Sequence, residues 1–299
     1  MFELYDRSNQ VSKLQNILDK AQLNLGSNPL IDFFKGIIEF KNKNYKQAIK
    51  NLENIKLNEK DFNRLIIKED ILAKSYDFLG EYDKAFKYFA RANNLFNSYY
   101  KSRINKNFYL NLIKKRTNYF LNIKKINWRS IEIDDEFRDP IFLVGFPRSG
   151  TTLLDSILAS HFSIEVLEEK PIVDKFIVEL ENKIGGDFSK LENIDNNLFH
   201  SMRKFYFNSR EKYFNSKESK IIIDKLPLNI VYSAEIFRFF PKAKFIFVLR
   251  NPYDSVLSCF MQQFAPNSAM LNLTNLRDAA NLYDLVMNLW LKYLNNFKI

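Results

Sequence analysis

The 299-residue sequence predicts an α/β protein in two parts, in which all-α helical repeats precede a parallel-sheet domain with a P-loop-like phosphate loop. Three observations predict this. Two segments repeat at a spacing of 37 residues, short apolar runs alternate with helical stretches after Pro140, and a glycine-containing loop follows the first of those runs. We expect residues 1–130 to form the helical domain with its linker helix, and residues 140–299 to form the sheet domain.

The N-terminal repeat is seen when Asn44–Ala48 is aligned with Glu81–Ala85. Its small residues let paired helices approach closely, its aromatic residues fill the gap to the next pair, and Gly80 makes an easy turn. The pattern resembles tetratricopeptide repeats, although the spacing exceeds their usual length of about 34 residues. It indicates either a docking surface for a protein partner or a brace for the second domain. The positions that carry the resemblance are Ala73, Tyr76, Gly80, Tyr82, Ala85, Phe89 and Ala92.

Two further helices are predicted beside these repeats. Residues 11–25 have a helical apolar stripe and are typical of a half-repeat. Residues 101–125 form a lysine-rich amphipathic stretch that ends near Trp128. We expect the second stretch to be the linker helix.

The net charge of +10 is unevenly distributed along the chain. Residues 1–130 carry +12, residues 131–139 carry −4, and residues 140–299 carry +2. The acidic segment therefore marks a domain boundary. We interpret the basic N-terminal segment as a solvated, lysine-rich helical surface and not as a nucleic-acid-binding surface, because no arginine-rich or RNA-binding motif accompanies it.

Composition excludes several classes of site. A single cysteine, Cys259, excludes an intrachain disulfide framework and a cysteine-based zinc site. His161 and His200 leave little for a histidine-rich metal site or a catalytic triad. The first residues contain acids and no apolar core of a signal peptide, and no stretch approaches the ~20 apolar residues of a membrane span. We expect a cytoplasmic protein without a metal, a membrane or a nucleic-acid partner.

A strand, a glycine-containing loop and a helix follow one another from Ile141. The strand is Ile141–Gly145, the loop is Phe146–Thr152, and the helix is Leu153–His161. This order places loop amides and the helix N-terminus around an anion. The loop nearly meets the Walker A pattern, but Thr151 replaces the lysine that reaches the β- and γ-phosphates. A cradle for one phosphate is therefore favoured over nucleoside triphosphate hydrolysis.

Three further strands are predicted, each followed by a residue with useful chemistry. Because parallel strands present their carboxyl ends at one edge of the sheet, we expect these residues to meet the phosphate loop there. The strands are Ser163–Leu167 before Glu168 and Glu169, Lys220–Asp224 before Lys225, and Ala243–Leu249 before Arg250.

These motifs resemble the sulfotransferase family, and within it the tyrosylprotein sulfotransferases and their repeat-bearing bacterial relatives. Pro147–Leu153 is similar to the family's 5′-phosphosulfate loop, and Arg250–Ser258 to its 3′-phosphate motif. Asp224–Pro227 resembles the element whose lysine faces the transferred group. Glu169 falls where the protein-tyrosine branch carries a glutamate thought to be the general base.

The resemblance implies 3′-phosphoadenosine 5′-phosphosulfate as donor and a hydroxyl of a peptide, sugar or small molecule as acceptor. It implies catalytic roles for Arg148, Lys225 and Glu169, with Glu168 as the alternative base. The implied donor-binding residues are Arg148, Ser149, Gly150, Thr151, Thr152, Arg250 and Ser258.

Two other functions stay open on the sequence. Asp224, after an apolar run, is also typical of a Walker B aspartate in an ATP-dependent kinase. The chain also ends soon after the 3′-phosphate motif, which predicts a C-terminally incomplete sheet domain and leaves an inactive repeat-scaffold binding protein as an alternative.

Overall fold

The computed structural model describes residues 2–26, 28–122, 128–213 and 221–297. They form two compact units, one of residues 1–106 and 260–278, and one of residues 107–259 and 279–299. Lys220 of a predicted strand, the end of the predicted linker helix at residues 123–125, and residues 298–299 lie outside the described residues.

The first unit is built on six helices of the N-terminal part. Gly36 lies where helices α3 and α4 approach closely, since a Cβ at that position would overlap the Leu52 side chain. Gly80 turns the chain between α5 and α6 with a φ of +77°. The helices are α1 (Phe2–Arg7), α2 (Val11–Leu25), α3 (Pro29–Lys41), α4 (Tyr45–Leu52), α5 (Phe62–Phe78) and α6 (Tyr82–Tyr100).

Aromatic residues of the repeat pack both between successive helical hairpins and within one hairpin. Tyr45 on α4 stacks on Phe78 of α5, with ring centroids 4.6 Å apart. Tyr76 and Tyr88 stack on each other and both donate to one Glu53 carboxylate oxygen. The helix-turn-helix pairs expected at both copies of the 37-residue spacing are therefore present.

The compact units differ from the predicted domain boundaries in two segments, each of which makes buried polar contacts within its unit. Residues 260–278 belong to the first unit, where the buried Asn93 donates to the backbone oxygen of Phe260 at 2.8 Å. Helix α7 (Asn107–Asn122) belongs to the second unit. There its buried Arg116 pairs with Glu235 at 2.7 Å and Glu181 at 3.1 Å.

The second unit contains a four-stranded parallel sheet in the order β2-β3-β1-β4. The strands are β1 (Ile141–Gly145), β2 (Ile164–Glu168), β3 (Ile221–Lys225) and β4 (Lys244–Val248). The parallel sheet expected for this region is confirmed. Strand β3 ends one residue later than predicted, because Lys225 itself pairs with Glu168 of β2 and Leu143 of β1.

The remaining helices connect these strands or follow the last of them. The first of them begins at the phosphate loop, and the last is split between the two units after Asp278. No helix within the described ranges is both long and apolar enough to cross a bilayer. The helices are α8 (Thr151–Ala159), α9 (Ile172–Ile184), α10 (Asn196–Glu211), α11 (Ser233–Phe239), α12 (Pro252–Phe260) and α13 (Leu276–Asn296).

Candidate functional site

The carboxyl ends of the four strands bring the sequence-predicted residues to one edge of the sheet. Strand β1 runs into the loop at residues 146–150, β2 ends at Glu168, β3 ends at Lys225, and β4 ends just before Arg250. The connection after β1 leads to β2, and the connection after β3 leads to β4. The connections from these two neighbouring strands therefore run in opposite directions along the sheet. Ligands of open α/β sheets bind in the crevice at such a point.

The loop after β1 is a tight turn that leads directly into a helix. Gly145 is required at its start, because a Cβ there would lie 2.7 Å from the Val248 backbone oxygen. Arg148 and Gly150 have φ angles of +67° and +107°, and the Ser149 amide between them donates to the Phe146 backbone oxygen at 3.1 Å, which closes a tight turn. Helix α8 then starts at Thr151 and adds the positive end of its dipole.

Ser149 tests whether this loop fits a phosphate group. Its side chain is 6% exposed, and its buried hydroxyl has no hydrogen-bond partner among the residues described. A buried hydroxyl without a partner is costly, so its presence in the loop favours an external acceptor. The residues present therefore fit an anionic phosphate oxygen.

An arginine cluster, which we define as Arg148, Arg250 and Ser258, flanks the loop on the β4 side. Arg148 Nε donates to Ser258 Oγ at 3.1 Å, and Arg250 Nη1 donates to the Arg148 backbone oxygen at 3.3 Å. Asp254 lies 3.7 Å from Arg250, and both side chains are about half exposed. The two guanidinium groups therefore keep donors available to an anion.

A lysine cluster, which we define as Lys225, Asp155, Glu168 and Glu169, lies at the ends of β2 and β3. Lys225 Nζ is 3.0 Å from Glu168, 3.3 Å from Glu169 and 3.2 Å from Asp155. Burial opposes the charge of Lys225, but the hydrogen bond with Glu168 and the nearby carboxylates outweigh it and raise the pKa of Lys225. The ammonium is therefore held charged.

The chain is bent at Glu169 in a way that presents its carboxylate. Its φ is +49°, and its backbone N–H donates to the Lys225 backbone oxygen at 2.7 Å. A non-glycine residue rarely adopts a positive φ, and such residues concentrate at functional sites. The Glu169 side chain is 56% exposed and reachable from solvent.

Asp224 lies one residue before Lys225 but is separate from the lysine cluster. Its side chain is buried and accepts a hydrogen bond from the Tyr206 hydroxyl at 3.0 Å. Burial raises the pKa of Asp224 to about 7, and the hydrogen bond from Tyr206 opposes that rise only in part. An aspartate in this environment is poorly suited to hold a metal ion.

A further reactive side chain, Cys259, directly follows Ser258 of the arginine cluster. Cys259 is buried, its thiol donates to the Pro147 backbone oxygen at 3.3 Å, and burial raises its pKa to about 12. This environment agrees with a packing role rather than a nucleophilic one. No group of acidic, histidine or cysteine side chains in the described ranges is arranged to hold a metal ion.

Sequence reasoning missed Asp155 and named Glu168 only as the alternative base. Both contact Lys225, and Glu168 does so at a shorter distance than Glu169. The signal for Asp155 was its position one helical turn after Thr151 in an otherwise uncharged helix. The signal for Glu168 was its direct pairing position opposite Lys225, which depends on the strand register.

Comparisons with known proteins agree with this geometry. A family model described as "Sulfotransferase family" matches residues 140–298, which is more than half of the chain. Protein-tyrosine sulfotransferase 2 of Gallus gallus is 28% identical over 123 residues, which cover 40% of this chain and 33% of that protein. An "Uncharacterized protein" of Aquifex aeolicus (strain VF5) is 32% identical over 210 residues, which cover 65% of this chain and 26% of that protein. The chain thus spans about a quarter to a third of the length of these curated relatives.

Proposed function

This chain belongs to the sulfotransferase family, and from that premise we propose that it transfers a sulfuryl group from 3′-phosphoadenosine 5′-phosphosulfate to an acceptor hydroxyl. The observation that carries the proposal is the contact between Asp155, on the helix that begins at the loop, and Lys225 at the end of β3. The donor, when bound, would supply a sulfuryl group attached to a 5′-phosphate oxygen.

The loop and the arginine cluster would hold the donor. The backbone amides of Gly150, Thr151 and Thr152, together with the Ser149 and Thr151 hydroxyls, would donate to the 5′-phosphate. The orphaned buried Ser149 hydroxyl supports this assignment. Arg148, which lies at the boundary of the loop and the cluster, would add charge, and Arg250 and Ser258 would hold the 3′-phosphate. Gly150 and Thr152 contribute only backbone or peripheral contacts in this scheme.

The lysine cluster would carry the chemistry. Lys225 would donate to the oxygen that becomes negative as the leaving group departs, and Glu169 would accept the proton of the acceptor hydroxyl. Transfer forms the bond between the acceptor oxygen and sulfur and breaks the bond between sulfur and the 5′-phosphate oxygen. The proton stays on Glu169. The exposure of the Glu169 side chain and its 3.3 Å distance from Lys225 support this pairing of roles. Glu168, which also contacts Lys225, is the alternative base.

The ATP-dependent kinase is not favoured. Thr151 stands where the Walker A lysine would be, and the family match is to sulfotransferases. The raised pKa of Asp224 and its burial against Tyr206 also disfavour a magnesium-binding Walker B aspartate.

The class of acceptor is part of the proposal and is based on the proteins to which this chain is similar. The similarity to a protein-tyrosine sulfotransferase favours a tyrosine hydroxyl in a peptide, while sugar and small-molecule hydroxyls are chemically equivalent to the proposed base. The close packing of α3 against α4 at Gly36 supports a tetratricopeptide-like hairpin, and we propose that these hairpins dock a protein partner.

The test has a binding arm and a transfer arm. Calorimetry with 3′-phosphoadenosine 5′-phosphate should show binding by this chain, and magnesium-ATP should compete poorly. Labelled donor should pass its sulfate to tyrosine peptides, sugars or phenols in a panel. No nucleotide binding would overturn the proposal, while binding without transfer to any acceptor would favour the inactive binding protein.

A further inference from the structure

The three carboxylates of the lysine cluster differ sharply in exposure. The side chains of Glu168 and Glu169 are each 56% exposed, whereas that of Asp155 is 10% exposed. Lys225, which all three contact, has a fully buried side chain. Water can therefore replace Lys225 as a partner of either glutamate but has little access to Asp155.

This difference decides which carboxylate can leave Lys225. Lys225 donates hydrogen bonds to Glu168 and Glu169 and pairs by charge with Asp155 at 3.2 Å, so an anion that takes a proton of the ammonium must displace one of these carboxylates. A released glutamate regains water, while a released Asp155 would become a buried, unpaired charge. A glutamate therefore leaves first, and Asp155 stays.

The position of Asp155 ties Lys225 to the phosphate loop. It lies on α8 one turn after Thr151, the residue at which that helix begins. Adjacent turns of one α-helix keep a fixed separation of about 5.4 Å. The ion pair between Asp155 and Lys225 thus sets where the ammonium lies relative to the loop amides.

We propose that Asp155 is a positioning residue that holds the Lys225 ammonium at a fixed place beside the phosphate loop while the exposed glutamates exchange it for substrate. This inference rests on the proposed sulfuryl transfer for its catalytic consequence. Its structural consequence, the control of Lys225 by Asp155, does not depend on that reaction.

The test compares Asp155→Asn with Glu165→Gln, a carboxylate on β2 that is outside both clusters. Nitrogen NMR of the lysine ammonium groups, with Lys225 assigned from Lys225→Arg, reports the titration of Lys225 without any substrate. In Asp155→Asn the pKa of Lys225 should fall, because a buried ammonium loses a buried counter-charge, and Glu165→Gln should leave it unchanged. In the transfer assay Asp155→Asn should lower kcat roughly ten- to hundredfold, the effect of a lost interaction with a charged group, with little change in donor KM.

The outcomes separate the two proposals. If the wild-type chain transfers no sulfuryl group but Asp155→Asn lowers the pKa of Lys225, the proposed function fails and the positioning role stands. A folded Asp155→Asn variant with an unchanged Lys225 titration and unchanged kcat overturns the inference. If Asp155→Asn does not fold, Asp155→Glu decides: the longer side chain should keep Lys225 charged but lower kcat, and a wild-type kcat would overturn positioning.

Discussion

The arginine cluster and the lysine cluster lie at the same edge of the sheet but are built in opposite ways. The arginine cluster has two exposed guanidinium groups with one carboxylate, Asp254, 3.7 Å away. The lysine cluster has one buried ammonium surrounded by three carboxylates within 3.3 Å. The arginine cluster therefore keeps positive charge that is available to an anion. In the lysine cluster, three carboxylates more than neutralise the single ammonium.

From this contrast we infer that the two sides of the β1–β3 crevice have different tasks, with the arginine cluster on one side and the lysine cluster on the other. A surface with exposed guanidinium groups and an orphaned Ser149 hydroxyl suits the capture of a doubly phosphorylated nucleotide. A buried ammonium with exchangeable glutamates suits proton and charge movement during a reaction. The predictions below first test the strand that carries Lys225, then the lysine cluster and the arginine cluster in turn, and finally compare both sides in one experiment.

The largest effect is expected at Asp224, inside the strand that carries Lys225. Burial raises the pKa of Asp224 from an ordinary value near 3.8 to about 7. Between these two values the folded chain binds a proton that the unfolded chain has released. The contribution of Asp224 to the stability of the folded protein should therefore fall as the pH rises from about 4 to about 7.

Asp224→Asn removes this titration while keeping an oxygen that accepts from Tyr206. The free energy of unfolding of the variant, relative to wild type, should increase by about 4 kcal/mol between pH 4 and pH 8. Urea unfolding at several pH values measures it, with Glu179→Gln on α9 as the control. Parallel pH curves for Asp224→Asn and wild type would show that the pKa of Asp224 is the same in the folded and unfolded states.

The next effect isolates the lysine cluster. Lys225→Met should lower the transfer rate by about 100- to 1,000-fold, as for loss of a preorganised charge at a developing negative oxygen. Binding of 3′-phosphoadenosine 5′-phosphate to the arginine side should change little. Lys244→Met, at the other end of the sheet on β4, is the matched control. Loss of nucleotide binding together with transfer would show that the clusters are not separate.

The sequence is sufficient to predict the order of strands and helices at this edge. The apolar run Ile141–Gly145, the glycine loop and the apolar spacing of the next helix predict β1, the loop and α8, because each depends on nearby residues alone. The phosphate-loop residues and Lys225 are likewise predictable from local sequence patterns. That the loop and Lys225 meet follows from the parallel sheet itself.

The rest depends on contacts between residues far apart in the chain. The approach of Asp155 to Lys225 requires the packing of α8 on the sheet, and the pairing of Glu168 with Lys225 requires one strand register. Likewise, no local pattern shows that Asn93 binds the backbone of Phe260 or that Arg116 pairs with Glu235. These long-range polar contacts lie in the segments where the compact units differ from the predicted boundaries.

A smaller effect is expected in the arginine cluster. Arg250→Ala should weaken binding of 3′-phosphoadenosine 5′-phosphate by about 1.5 kcal/mol, near the low end for a charged hydrogen bond because Arg250 is half exposed. Calorimetry measures the loss, and Arg277→Ala, which lies in the other compact unit, is the control. Unchanged affinity would remove Arg250 from the nucleotide site.

The smallest effect uses salt to compare both sides in the unmodified chain. At about 0.5 M salt the Debye length is roughly 4 Å, so the exposed guanidinium groups lose part of their attraction for a phosphate. The buried Lys225 is shielded from ions by its own partners. Nucleotide affinity should therefore fall severalfold between low and high salt, while kcat at saturating donor stays nearly constant. A kcat that falls as steeply as the affinity would mean that Lys225 works as an exposed charge, and the proposed division between a binding side and a chemical side would be wrong.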